Sequence, residues 1–235
     1  MDGKKIIVIT GGSEGLGAAI AIALKSEVHK IWLLARSEVK LNEIKTNLLS
    51  EGFACDIITC NLTDEQQVIA AIDHIIYVDE QIDVLINNAG VWTETNIETI
   101  SFDEIQNTFQ VNVFALILLS GRVAPLMKKN GSGTILNIIS TSAIDAEGEW
   151  PVYVSSKFAV MGFSESLKKK YANTGVKIMD VYPGGINTNF YQNAGIEMAP
   201  NQDWMMDKND VAGVIKNALL SPGALTMDHF TIRKV

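Results

Sequence analysis

Cysteine is almost missing from this sequence: Cys55 and Cys60 are the only two in 235 residues, too few for a disulfide framework or a four-cysteine zinc site. Histidine is equally scarce, and His29, His74 and His229 lie far apart in the chain, so no metal is expected. A reducing, cytoplasmic setting is the simplest one for such a chain. Basic residues are in deficit, 19 against 27 acidic, for a net charge of −8. A general binder of nucleic-acid backbones needs the opposite balance, so nucleic acid is not an expected partner. Long apolar runs are missing too: the longest, Ala18 to Leu24 and Val113 to Leu119, fall far short of the roughly 18 residues that cross a bilayer. No membrane partner is expected. Lys4-Lys5 followed by Ile6 to Ile9 has the start of a signal peptide, but the stretch stops at Thr10-Gly11-Gly12, and the mature chain is expected to begin at its first methionine.

What is present is enough apolar residue, 47%, to bury a sizeable core, in a length that favours one domain spanning residues 1–235. Short β-branched runs read as strands at Ile6 to Thr10, Lys30 to Leu34, Ala54 to Thr59, Val84 to Asn87, Thr134 to Ile139 and Lys177 to Tyr182. Each is nearly all apolar, as a parallel strand covered on both faces must be. Amphipathic stretches alternate with them, at about Gly15 to Ser26, Glu38 to Ser50, Asp64 to Val78, Phe102 to Lys129, Val152 to Asn173 and Lys208 to Leu219. That order predicts an α/β fold, a doubly wound parallel sheet in three layers. Asp64 with Gln67, and Ser101 with Glu104, read as helix N-caps. Residues 189–207, rich in Asn and Met with Trp204 among them, read as a loop or short helical excursion serving as a substrate lid.

The first strand runs straight into Thr10-Gly11-Gly12-Ser13-Glu14-Gly15-Leu16-Gly17 and then an alanine-rich helix. Glycines there let a backbone approach a pyrophosphate, and the free amides of the helix start favour its charge. Asn87-Asn88-Ala89-Gly90 follows the fourth strand, and Tyr153-Val154-Ser155-Ser156-Lys157 opens the helix after the fifth. With Asn112, Ser140 and Pro183-Gly184-Gly185-Ile186-Asn187-Thr188, these motifs in this order resemble the short-chain dehydrogenase/reductase family over nearly the whole chain. The resemblance implies a Rossmann-type fold with a mostly parallel seven-stranded sheet in the order 3-2-1-4-5-6-7. It also implies a nicotinamide cofactor and interconversion of a carbonyl and an alcohol.

Tyr153 and Lys157, four apart on a helix, share a face. An ammonium about 4 Å from a phenol at an effective dielectric near 20 is worth roughly 4 kcal/mol, enough to bring a tyrosine from about 10 to near 7. Tyr153 is therefore the expected general acid/base. The resemblance gives Lys157 a second role on the nicotinamide ribose and makes Ser140, in Asn137-Ile138-Ile139-Ser140, the donor to the substrate oxygen, ahead of its neighbours Ser142 and Thr141. Asn112 lies within an apolar helix where an unpaired amide is costly. In the family it bends that helix and holds a water leading from the lysine to bulk solvent.

The remaining cofactor contacts are also carried over from the family. Gly11, Ser13, Glu14, Gly15, Leu16 and Gly17 would cradle the pyrophosphate, with Asn88, Ala89 and Gly90 beside them. Asn61 and the Leu62 N–H would meet the adenine, the Ile186 backbone and Thr188 the carboxamide, and Pro183 and Gly184 are further cofactor contacts. Ala35 replaces the carboxylate of NAD-preferring relatives and Arg36 follows it, which favours NADP(H) over NAD(H), although Glu14 stands where some NADP enzymes carry a basic residue. Trp92 to Thr95, Ala143 to Trp150 and Asn189 to Asp207 would build the substrate pocket, with Met198, Met205, Met206 and Trp204 divided between core and substrate contact.

The expected function is reduction of a small-to-medium ketone or diketone, or oxidation of a hydroxy acid, by a homodimer or homotetramer. Leu118, Leu119, Val160 and Phe163 are the apolar positions expected at the subunit contact. Two alternatives stand beside it: an acyl-carrier-protein 3-ketoreductase, whose Asp-Gly-Gly ending is absent here, and a non-catalytic dinucleotide sensor, which would lack the Tyr/Lys pair. The length disfavours a sugar-nucleotide epimerase. Lys168-Lys169-Lys170 reads as a solvated helix face.

Overall fold

The computed structural model describes residues 5–93, 97–197, 199, 202–221 and 225–235; Lys4, Thr95 and Met198 lie outside these. Seven parallel strands form one sheet: β1 (Ile6–Thr10), β2 (Lys30–Ala35), β3 (Ala54–Thr59), β4 (Val84–Asn87), β5 (Gly133–Ile138), β6 (Val176–Pro183) and β7 (His229–Ile232). Their order is β3-β2-β1-β4-β5-β6-β7, and every pair is parallel. The helices are α1 (Gly15–Leu24), α2 (Glu38–Ser50), α3 (Glu65–Asp79), α4 (Phe102–Phe109), α5 (Ala115–Asn130), α6 (Pro151–Tyr171) and α7 (Lys208–Leu219).

Strand periodicity makes the layers. Ile7 and Ile9 of β1 join Ile31, Leu33 and Ile86 on one face, against Ile20 and Leu24 of α1, Leu41 of α2 and Ile215 of α7. Ile6 and Val8 point the other way with Trp32, Leu34 and Leu85, against Ile72 and Ile75 of α3, Val123 and Met127 of α5 and Leu167 of α6. Side chains two apart share a face, so a fully apolar strand satisfies both layers at once. Asp64 caps α3 by accepting from the Gln66 and Gln67 amides, and Ser101 with Glu104 forms a capping box on α4.

Four features depart from the reading of the sequence. The stretch Phe102 to Lys129 is not one α-helix: α4 and α5 are joined by a π-helical turn, Gln110–Phe114, centred on Asn112. Its apolar length would suit a bilayer, yet Leu119, Val123, Ala124 and Met127 are buried inside the protein, as in a core helix. Lys168 is not solvated; its ammonium pairs with Asp180, fully buried in β6, at 2.8 Å and with Glu165 at 2.7 Å. Leu119 and Val160, expected at a subunit contact, are 1% exposed within the chain, while Phe114, Ile117 and Phe158 carry the exposed apolar surface of these helices. The edge strand β7 escapes pattern reading because only four residues, His-Phe-Thr-Ile, form it.

Register places the strand ends together. Thr10 sits beside Leu34, Asn87 beside Asn137, and Ile138 beside Val181. The segments leaving β1, β2, β4, β5 and β6 therefore emerge at one edge, where β1 has β2 on one side and β4 on the other. Such a switch of strand order opens a crevice at the carboxyl ends of the strands.

Candidate active site

The crevice is a cleft of about 960 Å³. Its floor is the glycine turn. Gly11, at φ +66°, leaves no room for a side chain: a Cβ there would lie 2.9 Å from Asn88 Nδ2 and 3.0 Å from Ala89 Cα. One at Gly17 would lie 2.3 Å from the Gly11 carbonyl oxygen. The turn is in turn bonded to the segment after β4. Asn88 Nδ2 donates to the Thr10 carbonyl at 2.9 Å, and the Asn88 and Ala89 amides donate to Thr10 Oγ1 at 3.0 and 3.1 Å. Ser13, Glu14, Gly15 and Leu16 line the cleft on one side, Ala89 and Gly90 on another, and Pro183, Gly184, Ile186 and Thr188 on a third. Of the catalytic and cofactor residues named from sequence, Gly17 and Asn112 alone do not line it: Gly17 packs beneath the turn, and Asn112 lies behind the wall.

One end of the cleft is closed in. Tyr153 and Lys157, on the first turns of α6, are 5% exposed each. Ser140, just past β5, lies close enough to the Tyr153 hydroxyl to favour its ionised form, while its neighbour Ser142 backs it, accepting from Ser140 Oγ at 3.2 Å and donating its amide back at 3.1 Å. The Lys157 ammonium donates to the Ile138 carbonyl at 3.2 Å and stands 5.6 Å from the centre of the Tyr153 ring. Burial pushes the Tyr153 phenol above its ordinary value, against the pull of Ser140, and brings Lys157 down to about 8. This reverses the expected lowering of Tyr153. The expectation counted attraction between the two groups and omitted the cost of taking both from water, which here is the larger effect.

Asn112 is fully engaged. Its Oδ1 accepts from the Val91 amide at 2.8 Å, and its Nδ2 donates to the Val91 carbonyl and to Ser156 Oγ, both at 3.0 Å. Ser156 in turn donates to the Tyr153 carbonyl at 2.6 Å. The π turn thus carries an amide that pins the segment after Gly90 to the helix bearing Tyr153.

Aromatic rings cover this end. Trp92 lies 4.6 Å from Tyr153, 4.4 Å from Trp150 and 5.0 Å from Tyr191, ring centre to ring centre, and Phe190 lies 6.3 Å from Tyr153. Phe190 and Tyr191 fall in the segment 189–207 expected to build the substrate pocket, though nothing in their spacing marks these two among its residues. In the same segment Met205 and Met206 are core residues, whereas Trp204 lines the cleft and packs on Gly185.

The other end is open and charged. Arg36 is exposed at the cleft wall with Ser37, Asn61 and Leu62. Asn61 Oδ1 accepts from the Thr63 amide at 3.2 Å and its hydroxyl at 3.1 Å, a local turn that engages the oxygen expected to meet adenine. Glu14 is not an isolated negative charge either, because Lys40 Nζ pairs with it at 2.8 Å. Lys40, which also lines the cleft, was missed; its place in the first turn of the helix that follows β2 and Arg36 was the available signal.

The family model described as short chain dehydrogenase matches residues 5–199. An uncharacterized oxidoreductase of Staphylococcus haemolyticus is 28% identical over 235 residues, covering 98% of this chain and 97% of the relative. Among solved structures, a short-chain dehydrogenase of Sphingobium yanoikuyae in complex with NADPH superposes with a TM-score of 0.83 at 28% identity, over 92% of this chain and 83% of that one. The fold is shared with an alcohol dehydrogenase of Thermococcus sibiricus complexed with 5-hydroxy-NADP, at a TM-score of 0.91 and 24% identity, over 99% of this chain and 97% of that one.

Proposed function

The chain belongs to the short chain dehydrogenase family, and from that premise we propose that it is an NADP(H)-dependent oxidoreductase interconverting a carbonyl and a secondary alcohol on a small-to-medium organic substrate. The observation that carries this reading is the convergence of Ser140, Tyr153 and Lys157 at the closed end of a cleft floored by the glycine turn. The cleft fits a dinucleotide. The start of α1 at Gly15 and Leu16 has no side-chain cap and lines the cleft, which suits its amides to a pyrophosphate, and Arg36 and Lys40 stand where an adenosine phosphate would need cations.

The bound nicotinamide would supply or accept the hydride. The Tyr153 hydroxyl delivers a proton to the carbonyl oxygen in reduction and removes it in oxidation. Its raised pKa keeps it protonated at neutral pH, the form reduction needs. Ser140 donates to the same oxygen as charge develops there. Lys157 is the group for the nicotinamide ribose hydroxyls, and Asn112 holds the two walls of the site in register. Gly11 to Leu16, Ala89 and Gly90 serve the pyrophosphate, and Gly184, Ile186 and Thr188 the carboxamide. Leu62 serves the adenine by its backbone, and residues 189–207 the substrate. The NADPH complex of the Sphingobium relative supports the same cofactor here.

The exposed Phe114, Ile117 and Phe158 support a homodimer or homotetramer through the helices that carry them. The two free, buried cysteines suit a reducing, cytoplasmic compartment. A panel of ketones, diketones and hydroxy acids, followed by the absorbance of NADPH and NADH, tests the activity. Tight nucleotide binding with no turnover on any member would favour a sensor over an enzyme.

A further inference from the structure

The Glu14 carboxylate joins three separate parts of the molecule. Oε2 accepts from Lys40 Nζ of α2 at 2.8 Å and from Asn189 Nδ2 at 3.3 Å, and Oε1 accepts from Asn193 Nδ2 at 2.9 Å. The glycine turn, the start of α2 and the segment after β6 are therefore tied together at the rim of the cleft. Burial alone would raise the Glu14 pKa, but the bonds from Lys40 and the two amides outweigh it and lower it, so the group is an anion at neutral pH.

Counting charge changes what this end of the cleft recognises. Arg36 and Glu14 by themselves cancel, and would offer little to a dianion. Lys40 lines the same wall, and with it the three side chains sum to one positive charge. Its side chain is 45% exposed, and an ammonium carries three donors, of which the Glu14 contact uses one. A four-carbon stem that exposed would sample many positions without a fixed partner. Glu14 supplies the partner, and Asn193 and Asn189 keep the carboxylate from swinging away.

We propose that Lys40 is a second cation for the adenosine 2′-phosphate beside Arg36, and that Glu14, braced by Asn193, is the residue that positions it. This rests on the dinucleotide reading above and extends it to specificity. It also makes the substrate-side segment part of cofactor selection, because Asn193 belongs to residues 189–207.

The test is equilibrium binding of two cofactor fragments, 2′,5′-ADP and 5′-AMP, to the full chain and to K40M, N193A and the double variant, by calorimetry. K40M should lose about tenfold in 2′,5′-ADP affinity, the lower end for a charge-assisted contact at an exposed site, and less than about twofold for 5′-AMP. N193A should lose about threefold for 2′,5′-ADP alone, and that loss should vanish in the K40M background, since Asn193 acts through Lys40. Equal losses for both nucleotides in K40M would make Lys40 a structural ion-pair partner and overturn the proposal. Additive losses in the double variant would overturn the positioning chain from Asn193 to Lys40. If the wild type bound neither fragment nor NADP(H), the dinucleotide reading itself would fall, an outcome separate from either of these.

Discussion

The two ends of the cleft are built on opposite principles. At the closed end Tyr153 is buried against Trp92 and Phe190 with Ser140 near its hydroxyl, and Lys157, buried beside it, donates to the Ile138 carbonyl. At the open end Arg36 is exposed, and the side chains of Lys40 and Glu14 are 45% and 30% exposed. Water is excluded from the first, so small displacements of fixed dipoles carry large energies; at the second, water and salt screen every charge. Under the proposed function the closed end does the chemistry and the open one discriminates between cofactors, and the contrast ranks what substitutions should do.

The largest effect is expected at the closed end. Tyr153→Phe removes one oxygen and the proton it carries, and should lower kcat by about two to four orders of magnitude with cofactor binding retained. Steady-state rates beside a fluorescence titration of NADPH would check this, and near-normal turnover would erase the distinction between the ends. Lys157→Ala should harm both cofactor affinity and rate.

Burial at that end should also show in stability. Lys157 has its pKa reduced from 10.5 to about 8, so between these values the unfolded chain holds a proton the folded one has lost. The contribution of Lys157 to stability must then rise with pH across that window, and below it the cost of the buried ammonium is present in full. Lys157→Met should accordingly gain most on the wild type near pH 7, with the gain shrinking toward pH 10. Denaturant unfolding of both proteins at several pH values measures it, and a pH-independent difference would show that Lys157 is not paying a burial cost.

Smaller effects belong to the open end. Arg36→Ala should weaken NADPH by about tenfold and NADH much less, the lower end of the range for a charge-assisted contact because the site is exposed. Ala35→Asp should tip the preference toward NADH by meeting the phosphate with like charge. Equal losses for both cofactors in Arg36→Ala would remove the discriminating role. The smallest change is with salt. Raising ionic strength from about 0.1 M to 1 M, which shortens the Debye length from about 10 to 3 Å, should weaken NADPH several-fold and leave kcat at saturation nearly unchanged.

The helix faces offer a separate comparison, since Leu119 and Val160 are core while Phe114 and Phe158 are exposed. Replacing Phe114 and Phe158 with Ser should dissociate the proposed oligomer without unfolding it, as read by light scattering and circular dichroism. The corresponding changes at Leu119 and Val160 should destabilise the fold itself.

Much of this was legible in the chain because it is local. Short, nearly all-apolar β-branched runs specify buried strands, Ser101 with Glu104 specifies a helix start, and Gly11 and Tyr153 with Lys157 announce themselves by spacing along one element. Strand register then carries the glycine turn, Asn88 and Ser140 to one edge with no further information. What only the tertiary structure decided depends on neighbours far apart in sequence. Whether Tyr153 is pushed up or down in pKa turned on its burial under Trp92 and Phe190, from two other segments, and not on Lys157 alone. Whether Glu14 opposes an anion turned on Lys40, 26 residues on, and on Asn193, 179 residues on. Desolvation and charge sums are set by everything within a few ångströms, and a linear sequence records which residues exist, not which of them share that space.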